Sequence, residues 1–250
     1  MRRALVIGAS HSLGSHLATR LAASDWQVVG TGRRPAHDVP GSDIFDYVPL
    51  DLSDPADVDR FAAGPGSDAY DLVVHNAVMY GGTGGKAPEL AELETMFRVN
   101  TLVPYRLLHG LLSAQSPDRF CSCVVVNSDS VYHANRHSAP YAATKAALRV
   151  LTTALADTFR SAQVSVATLV LGPLPDPGKL ADFRRVAERH GIPVEEVTRA
   201  YLRKSNPSYV IDDLIDFDAC HRSVEYLAGL GPAGNGTVCR LDGGSAGSLV

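Results

Sequence analysis

The sequence lacks the features that mark several common classes of protein. Its only four cysteines, at positions 121, 123, 220 and 239, do not have the paired spacing of a zinc site. His133 and His137 lie four residues apart, but no third metal ligand accompanies them. No apolar run approaches the ~18 residues of a membrane-spanning helix, and a net charge of −4 gives no electrostatic case for nucleic acid. We therefore expect a cytoplasmic protein with reduced thiols and no metal, membrane or nucleic-acid partner.

The sequence does contain an alternation of apolar strands and amphipathic helices. With 45% apolar residues, the chain can bury a sizeable core. Strands are predicted at 3–9, 26–32, 45–52, 70–77, 121–128, 164–172 and 236–244. Leu13, Leu17 and Leu21 have helical spacing, and Asp54 and Pro55 are typical of a helix start. This pattern predicts a doubly wound parallel α/β sheet in a single domain over residues 1–250.

The turn after the first strand has the composition of a phosphate-binding loop. The segment VIGASHSLGSHLA places Gly8 and Gly14 between the first strand and the first helix. A helix N-terminus offers unpaired N–H groups and a positive dipole end, which suits a diphosphate. Ser12 stands where the dinucleotide pattern has its middle glycine, so an ordinary strand–helix turn is the alternative.

Polar residues end the third and fourth strands. Asp51 follows the third strand, where its carboxylate can meet an adenine amino group, and Asn76 and Ala77 follow the fourth. Ligands of open α/β sheets lie outside the carboxyl ends of the strands, so these residues are expected in one crevice. Taken singly, Asp51 could instead cap a helix and Asn76 could be a turn residue.

Over nearly its whole length the chain resembles the short-chain dehydrogenase/reductase family. The segments that carry the resemblance are GASHSLG at 8–14, Asp51 with Leu52, HNAV at 75–78, Asn100, the trio Ser128, Tyr141 and Lys145, and LDGG at 241–244. The resemblance implies a Rossmann fold, a nicotinamide cofactor, a small-molecule carbonyl or alcohol substrate, and a homotetramer or homodimer. It implies cofactor contacts at Gly8, Ser10, Ser12, Leu13, Gly14, Arg33, Arg34, Asp51, Leu52, Asn76, Ala77, Tyr141, Lys145 and Gly172.

The chain departs from the family pattern around the cofactor. Ile7 replaces a Thr, Ser12 the middle glycine, His75 the first Asn of an Asn-Asn pair, and Val78 a glycine. The segment LGP at 171–173 stands where Pro-Gly is usual. These changes affect the expected details of cofactor binding and leave the catalytic set intact.

The trio has the chemistry that carbonyl reduction needs. A hydride must reach the carbon and a proton must reach the oxygen. The ordinary pKa of Tyr is about 10, and a nearby cation is expected to lower it. Lys145 lies four residues after Tyr141, on the same helix face, and is also expected to hold the cofactor ribose. Ser128, at a strand end, would orient the substrate carbonyl. The alternative is a surface helix with an incidental Tyr and Lys.

Asn100 lies within residues 89–113, which are predicted to form one long helix. Pro104 has no N–H and cannot bond the Asn100 carbonyl in the usual helical way. That carbonyl is then free to hold a water, and in the family the corresponding Asn supports a water that links to the catalytic Lys. A simple proline kink is the alternative.

The substrate side is predicted from residues near the trio. Asp129, Val131 and Tyr132 are expected to line the crevice with Ser128 and Tyr141, as are Met79 and Tyr80 after the fourth strand. Residues 178–208 are predicted to form a two-helix flap over the active site. This segment is rich in Lys and Arg, so an acidic or carrier-tethered substrate is one hypothesis, and a solvated helix face is the other.

Cofactor choice depends on the end of the second strand. An acidic residue there would hold the ribose 2′-OH of NAD, and an Arg would accommodate the 2′-phosphate of NADP. The strand ends in Gly32, followed by Arg33 and Arg34, with no Asp or Glu. We therefore predict NADP(H) rather than NAD(H), with Arg33 the main contact and Arg34 or Ser10 assisting. Both Arg being solvated loop residues is the alternative.

Together these features predict an NADP(H)-dependent ketoreductase or alcohol dehydrogenase. Tyr141 is the expected general acid–base, Lys145 tunes it, Ser128 orients the substrate, and Asn100 supports the relay. Two alternatives remain: the same fold used for dehydration, isomerisation or epimerisation, and a nucleotide-sensing binding protein without turnover.

Overall fold

Parallel strands with helices on both faces form the framework of the protein. The computed structural model describes residues 1–81, 88–133 and 138–246. In these ranges the strands are β1 (Arg2–Ile7), β2 (Trp26–Gly32), β3 (Asp46–Pro49), β4 (Leu72–His75), β5 (Cys121–Ser128), β6 (Val164–Leu171) and β7 (Val238–Leu241). The helices are α1 (Ser12–Ala23), α2 (Pro55–Ala63), α3 (Leu90–Phe97), α4 (Val103–Ser113), α5 (Ala139–Thr158), α6 (Pro177–His190), α7 (Val194–Ser205) and α8 (Phe217–Gly229).

The strands that the structure describes form one seven-stranded parallel sheet in the order β3-β2-β1-β4-β5-β6-β7. The order reverses between β1 and β4, which opens a crevice at their carboxyl ends. One apolar layer packs the sheet against α1 and α8. A second packs it against α2, α4 and α5. The predicted doubly wound α/β fold is therefore confirmed.

The helix expected over residues 89–113 is divided. A π-helical turn at Arg98–Leu102 separates α3 from α4. The N–H of Val103 donates to the Arg98 carbonyl, five residues back, instead of the usual four. Pro104 has no N–H, so it cannot form the usual helical hydrogen bond to the Asn100 carbonyl four residues earlier. This missing bond explains why the hydrogen-bond pattern of the helix changes here. The turn widens the helix at Asn100, a residue with no exposed surface.

Residues 177–205 form two helices joined by a left-handed residue. Gly191 follows α6 with a φ of +65°, and Pro193 is the N-cap of α7. Phe183, Ala187 and Val197 pack the two helices together. The predicted helical pair is present, and its role as a substrate flap stays a prediction. No helix in the described ranges is long and apolar enough to span a membrane.

Candidate active site

The loop between β1 and α1 requires glycine at two positions. Gly8 has a φ of +92°, and a Cβ there would lie 2.5 Å from the backbone of Ala77. A Cβ on Gly14 would lie 1.8 Å from the Gly8 carbonyl oxygen. The Asn76 Nδ2 donates to that same oxygen at 3.0 Å. The loop is thus packed tightly against the end of β4, and Asn76 fixes it there.

Ser12, which stands where the dinucleotide pattern has its middle glycine, has a backbone conformation that favours glycine. Its φ is +53°, in the left-handed region, and it is the first residue of α1. Its hydroxyl donates to the Asp176 carboxylate, which precedes α6 on the far side of the crevice. A serine here therefore keeps the turn and adds a hydrogen-bond donor that a glycine would lack.

A cleft of about 470 Å³ lies outside the carboxyl ends of β1, β2, β3 and β4. The predicted cofactor residues that line it are Gly8, Ser10, Ser12, Leu13, Arg33, Arg34, Asp51, Leu52, Asn76 and Ala77. Gly14 supports the loop by close packing, and Gly172 lines a second cavity. Most of the residues that the sequence predicted to bind the cofactor thus line one cleft.

The end of β2 presents Arg33 and Arg34 to this cleft. Both side chains are exposed at its rim. A Cβ on Gly32 would lie 2.7 Å from the Tyr47 hydroxyl and 2.8 Å from the Ser10 Cβ, so the strand end is narrow. Asp51 already uses its Oδ1, which accepts from the N–H and the hydroxyl of Ser53 at 2.8 and 2.7 Å. The guanidinium groups of Arg33 and Arg34 are therefore the cationic groups that can bind an anion in the described part of the cleft.

A second cavity, of about 880 Å³, contains the predicted catalytic trio. Ser128, Tyr141 and Lys145 all line it. It shares lining residues with the cofactor cleft, so the two form one continuous crevice. The shared residues are His11, Ser12, Arg34, Asn76, Val78, Tyr80, Leu174 and Asp176.

Ser128 and Tyr141 approach from different elements. Ser128 ends β5, and its Oγ accepts from the Ser130 N–H at 3.2 Å. Tyr141 lies in the first turn of α5 with 9% of its surface exposed. Burial raises the pKa of Tyr141 well above its ordinary value, Tyr80 adds to the rise, and a hydrogen bond with Ser128 opposes it. The phenol is therefore neutral near pH 7.

Lys145 lies one helical turn after Tyr141 and is 3% exposed. Its Nζ donates to the Val126 carbonyl at 3.3 Å. Burial lowers the pKa of Lys145 to about 8. Among the described residues, the causes that set the Tyr141 pKa do not include Lys145. The Lys145 amine is bonded to β5, and its predicted tuning of Tyr141 stays a prediction.

Asn100 lies behind the cavity wall. Its Oδ1 accepts from the Met79 N–H at 2.7 Å, and its Nδ2 donates to the Met79 carbonyl at 2.9 Å. The same Nδ2 donates to the Thr144 Oγ1 at 3.1 Å. Asn100 therefore joins the segment after β4 to the residue next to Lys145. Its predicted role as a water-binding relay residue stays a prediction.

Asp129 lines the substrate cavity, whereas Tyr132 is not among its described lining residues. Asp129 accepts from the Tyr209 hydroxyl at 2.5 Å, and burial raises the pKa of its carboxyl. The guanidinium groups of Arg149 and Arg240 lie 5.1 and 4.9 Å from the centre of the Tyr132 ring. The structure thus separates Tyr132 from the other predicted substrate residues.

Several cavity residues could not be found from the local sequence. Asp176, Lys179, Tyr201 and Tyr209 all line the substrate cavity. The Lys179 Nζ donates to the Leu174 carbonyl at 2.8 Å and lies 5.6 Å from the centre of the Tyr201 ring. Burial lowers the pKa of Lys179. The only sequence signal was the Asp-Pro pair at 176–177, which is typical of a helix start.

His75, at the end of β4, is the ionisable residue among the named departures from the family pattern, and its side chain is buried. It is 1% exposed, and neither ring nitrogen has a hydrogen-bond partner among the described residues. Burial, aided by the charge of Lys145, lowers its pKa to about 3. His133 lines the substrate cavity, and His137 lies outside the described residues. No cluster of three or more potential metal ligands occurs in the part of the chain that is described.

The family model for short chain dehydrogenase matches residues 2–177. The chain belongs to the short chain dehydrogenase family. This membership supports an oxidoreductase, and it agrees with the position of the trio at the edge of the sheet. A search of curated protein sequences found no significant match.

Solved structures share the short chain dehydrogenase fold over the full chain. A short chain dehydrogenase family protein from Francisella tularensis is 18% identical, with a TM-score of 0.81 over 98% of both chains. L-sorbose reductase from Gluconobacter frateurii, complexed with NADPH and L-sorbose, is 16% identical, with a TM-score of 0.83 over 99% of this chain and 97% of that one. A variant of actinorhodin polyketide ketoreductase with NADPH is 19% identical, with a TM-score of 0.81 over 98% and 97%.

Proposed function

We propose that the protein is an NADP(H)-dependent oxidoreductase that interconverts a carbonyl and a secondary alcohol on a small-molecule substrate. The observation that carries the proposal is the convergence of Ser128, Tyr141 and Lys145 in a cavity continuous with the cofactor cleft. A bound nicotinamide would supply or accept the hydride. The protein's own residues would bind the substrate oxygen and move its proton.

Tyr141 donates the proton to the developing alkoxide in the reducing direction. Its phenol is protonated at neutral pH, as a donor must be, although the burial that raises its pKa also makes it a weaker acid than an ordinary Tyr. The Ser128 hydroxyl holds the carbonyl oxygen near the phenol, which lowers the cost of orienting it. Lys145 is buried on α5 and lines the same cavity, where its amine would favour a developing alkoxide or phenolate.

The cofactor cleft favours NADP(H) over NAD(H). Arg33 and Arg34 lie on its rim beside Gly32, and a guanidinium can bind a phosphate with two parallel hydrogen bonds. No described Asp or Glu lines the cleft next to them on β2. The complexes of L-sorbose reductase and of actinorhodin ketoreductase with NADPH support a nicotinamide cofactor.

The substrate cavity favours a polar compound. It presents the carboxylate of Asp129, the amine of Lys179 and the hydroxyls of Tyr201 and Tyr209. Lys179 supports a substrate with an acidic group. The helical pair α6–α7 is the proposed flap, and a homotetramer or homodimer in the cytoplasm is proposed on family resemblance.

The test is cofactor turnover with a panel of carbonyl compounds. NADPH oxidation is followed at fixed protein concentration with hydroxyketones, oxo acids and simple ketones, and the reverse reaction with the matching alcohols. We expect turnover with at least one compound and formation of the corresponding alcohol. Cofactor binding without turnover across the panel would favour the nucleotide-sensing alternative.

A further inference from the structure

Asp176 occupies an N-cap position without capping its helix. Asp54 and Asp216 are also N-caps, and each accepts from an N–H of its own helix, at 2.9 Å from Ala56 and 2.6 Å from Ala219. Asp176 has no such bond to α6 in the part of the chain that the structure describes. Its carboxylate accepts instead from Ser12, across the crevice. A side chain well suited to its own helix is therefore used elsewhere.

The Asp176 carboxylate lies at the N-terminus of α1, a position that favours an anion. Ser12 is the first residue of α1, whose exposed N–H groups and positive dipole end attract negative charge. Asp176 lines both the cofactor cleft and the substrate cavity. Its charge also acts on the ring of His11, the N-cap of α1, against the opposing charges of Arg33 and Arg34. The carboxylate thus lies at the end of α1 where a dinucleotide diphosphate would lie.

We propose that Asp176 sets the affinity of the cofactor site by competing with the diphosphate for the N-terminus of α1. This inference rests on the proposed function, since it requires a dinucleotide in the cleft. In the free protein Asp176 bonds to Ser12. When an anion takes this place, the carboxylate turns to the unpaired N–H groups at the start of α6, where Asp54 and Asp216 show the usual arrangement on their own helices.

This change of hydrogen-bond partner by Asp176 would also couple the cofactor cleft to the substrate cavity. Asp176 immediately precedes α6, and Lys179 in the first turn of that helix lines the substrate cavity. Capping of α6 orders the turn that carries Lys179, so cofactor binding would fix one wall of the substrate site. The proposed competition also requires Ser12, because a glycine at this position could make the turn but could not donate a hydrogen bond to Asp176.

The experiment is a fluorescence titration of NADPH into the protein without substrate. Asp176→Asn keeps the shape of the side chain and removes its charge, and we expect affinity for NADPH to rise roughly tenfold, as for loss of one like charge a few ångströms from a diphosphate. The gain should shrink at 1 M salt, where exposed charges are screened. Ser12→Gly, which removes the hydroxyl and the left-handed serine, should also tighten binding.

Asp182→Asn is the matched control. Asp182 is exposed on the same helix and pairs with Arg185, away from the crevice, so its variant should bind NADPH as the native protein does. Unchanged or weaker binding by Asp176→Asn, with native binding intact, would overturn the inference alone. Failure of the native protein and both variants to bind NADPH or NADH would reject the proposed cofactor, and the inference with it.

Discussion

The cofactor cleft and the substrate cavity adjoin each other but are built differently. The cleft is made largely of backbone and short side chains at the ends of β1, β2 and β4, such as Gly8, Ser10 and Ala77. The cavity adds ionisable side chains from the turn after β5 and from α5, α6 and α7, such as Asp129, Lys145 and Lys179. A cleft of this kind can bind a ligand through main-chain groups, with Arg33 and Arg34 at its rim as charged side chains. The cavity, by contrast, can change its chemistry with single substitutions on the helices.

The sharpest test of this division is a substitution at Tyr141, which lines the substrate cavity and not the cofactor cleft. Tyr141→Phe keeps the ring in its buried place and removes the proton donor. We expect turnover to fall by ~10² to 10⁴, the range for general acid–base groups, with the NADPH dissociation constant nearly unchanged. Steady-state kinetics and a fluorescence titration give the two numbers. Near-normal turnover would remove Tyr141 from the mechanism.

His75 should affect neither cavity directly but should affect stability. Its folded-state pKa is about 3, below the ordinary value of about 6.5. Between these values the unfolded chain binds a proton and the folded protein does not, so stability falls as the pH drops through this window. From pH 7 to pH 4.5 the loss should be about 3 kcal/mol in the free energy of unfolding.

Chemical denaturation at several pH values measures this effect. His75→Asn removes the titrating group and should flatten the acid limb of the stability profile. His37→Asn is the control, since that side chain is 80% exposed. An acid limb as steep in His75→Asn as in the native protein would show that other groups produce it.

Substitution of Arg33 tests whether the cofactor cleft alone determines the preference for NADPH over NADH. Arg33→Ala should lower the ratio of kcat/KM for NADPH over NADH by about tenfold, because a charge-assisted bond to phosphate contributes about 1.5–3 kcal/mol and this side chain is exposed. The KM for the carbonyl substrate should stay the same. Arg160→Ala, on the surface and paired with Asp157, is the control. A native preference for NADH, or a ratio that does not move, would contradict the assignment.

The cleft and the cavity also differ in what could be predicted from sequence. Gly8, Asn76 and Ser128 follow strands, and the parallel-sheet rule places such ends at one edge. Tyr141 and Lys145 share a helix face by spacing alone. Asp129 and Tyr209, in contrast, meet across 80 residues, and nothing local to either residue specifies that contact. Tyr132 shows the converse, since nearness to Ser128 in sequence did not place its ring in the cavity.

The smallest expected effect concerns the charge of the substrate cavity. Lys179→Met keeps much of the apolar stem and removes the amine that lines the cavity. For a substrate with a carboxylate or phosphate, we expect KM to rise about fivefold, since a partly solvated ion pair contributes about 1 kcal/mol or less. A neutral carbonyl substrate should show no change. The matched control reverses the charges of Arg184, Arg185 and Lys204, which are exposed on the same helical pair. If that triple variant raises KM for the anionic substrate and Lys179→Met does not, recognition occurs on the outer face of α6 and α7 and the cavity amine has no part in it.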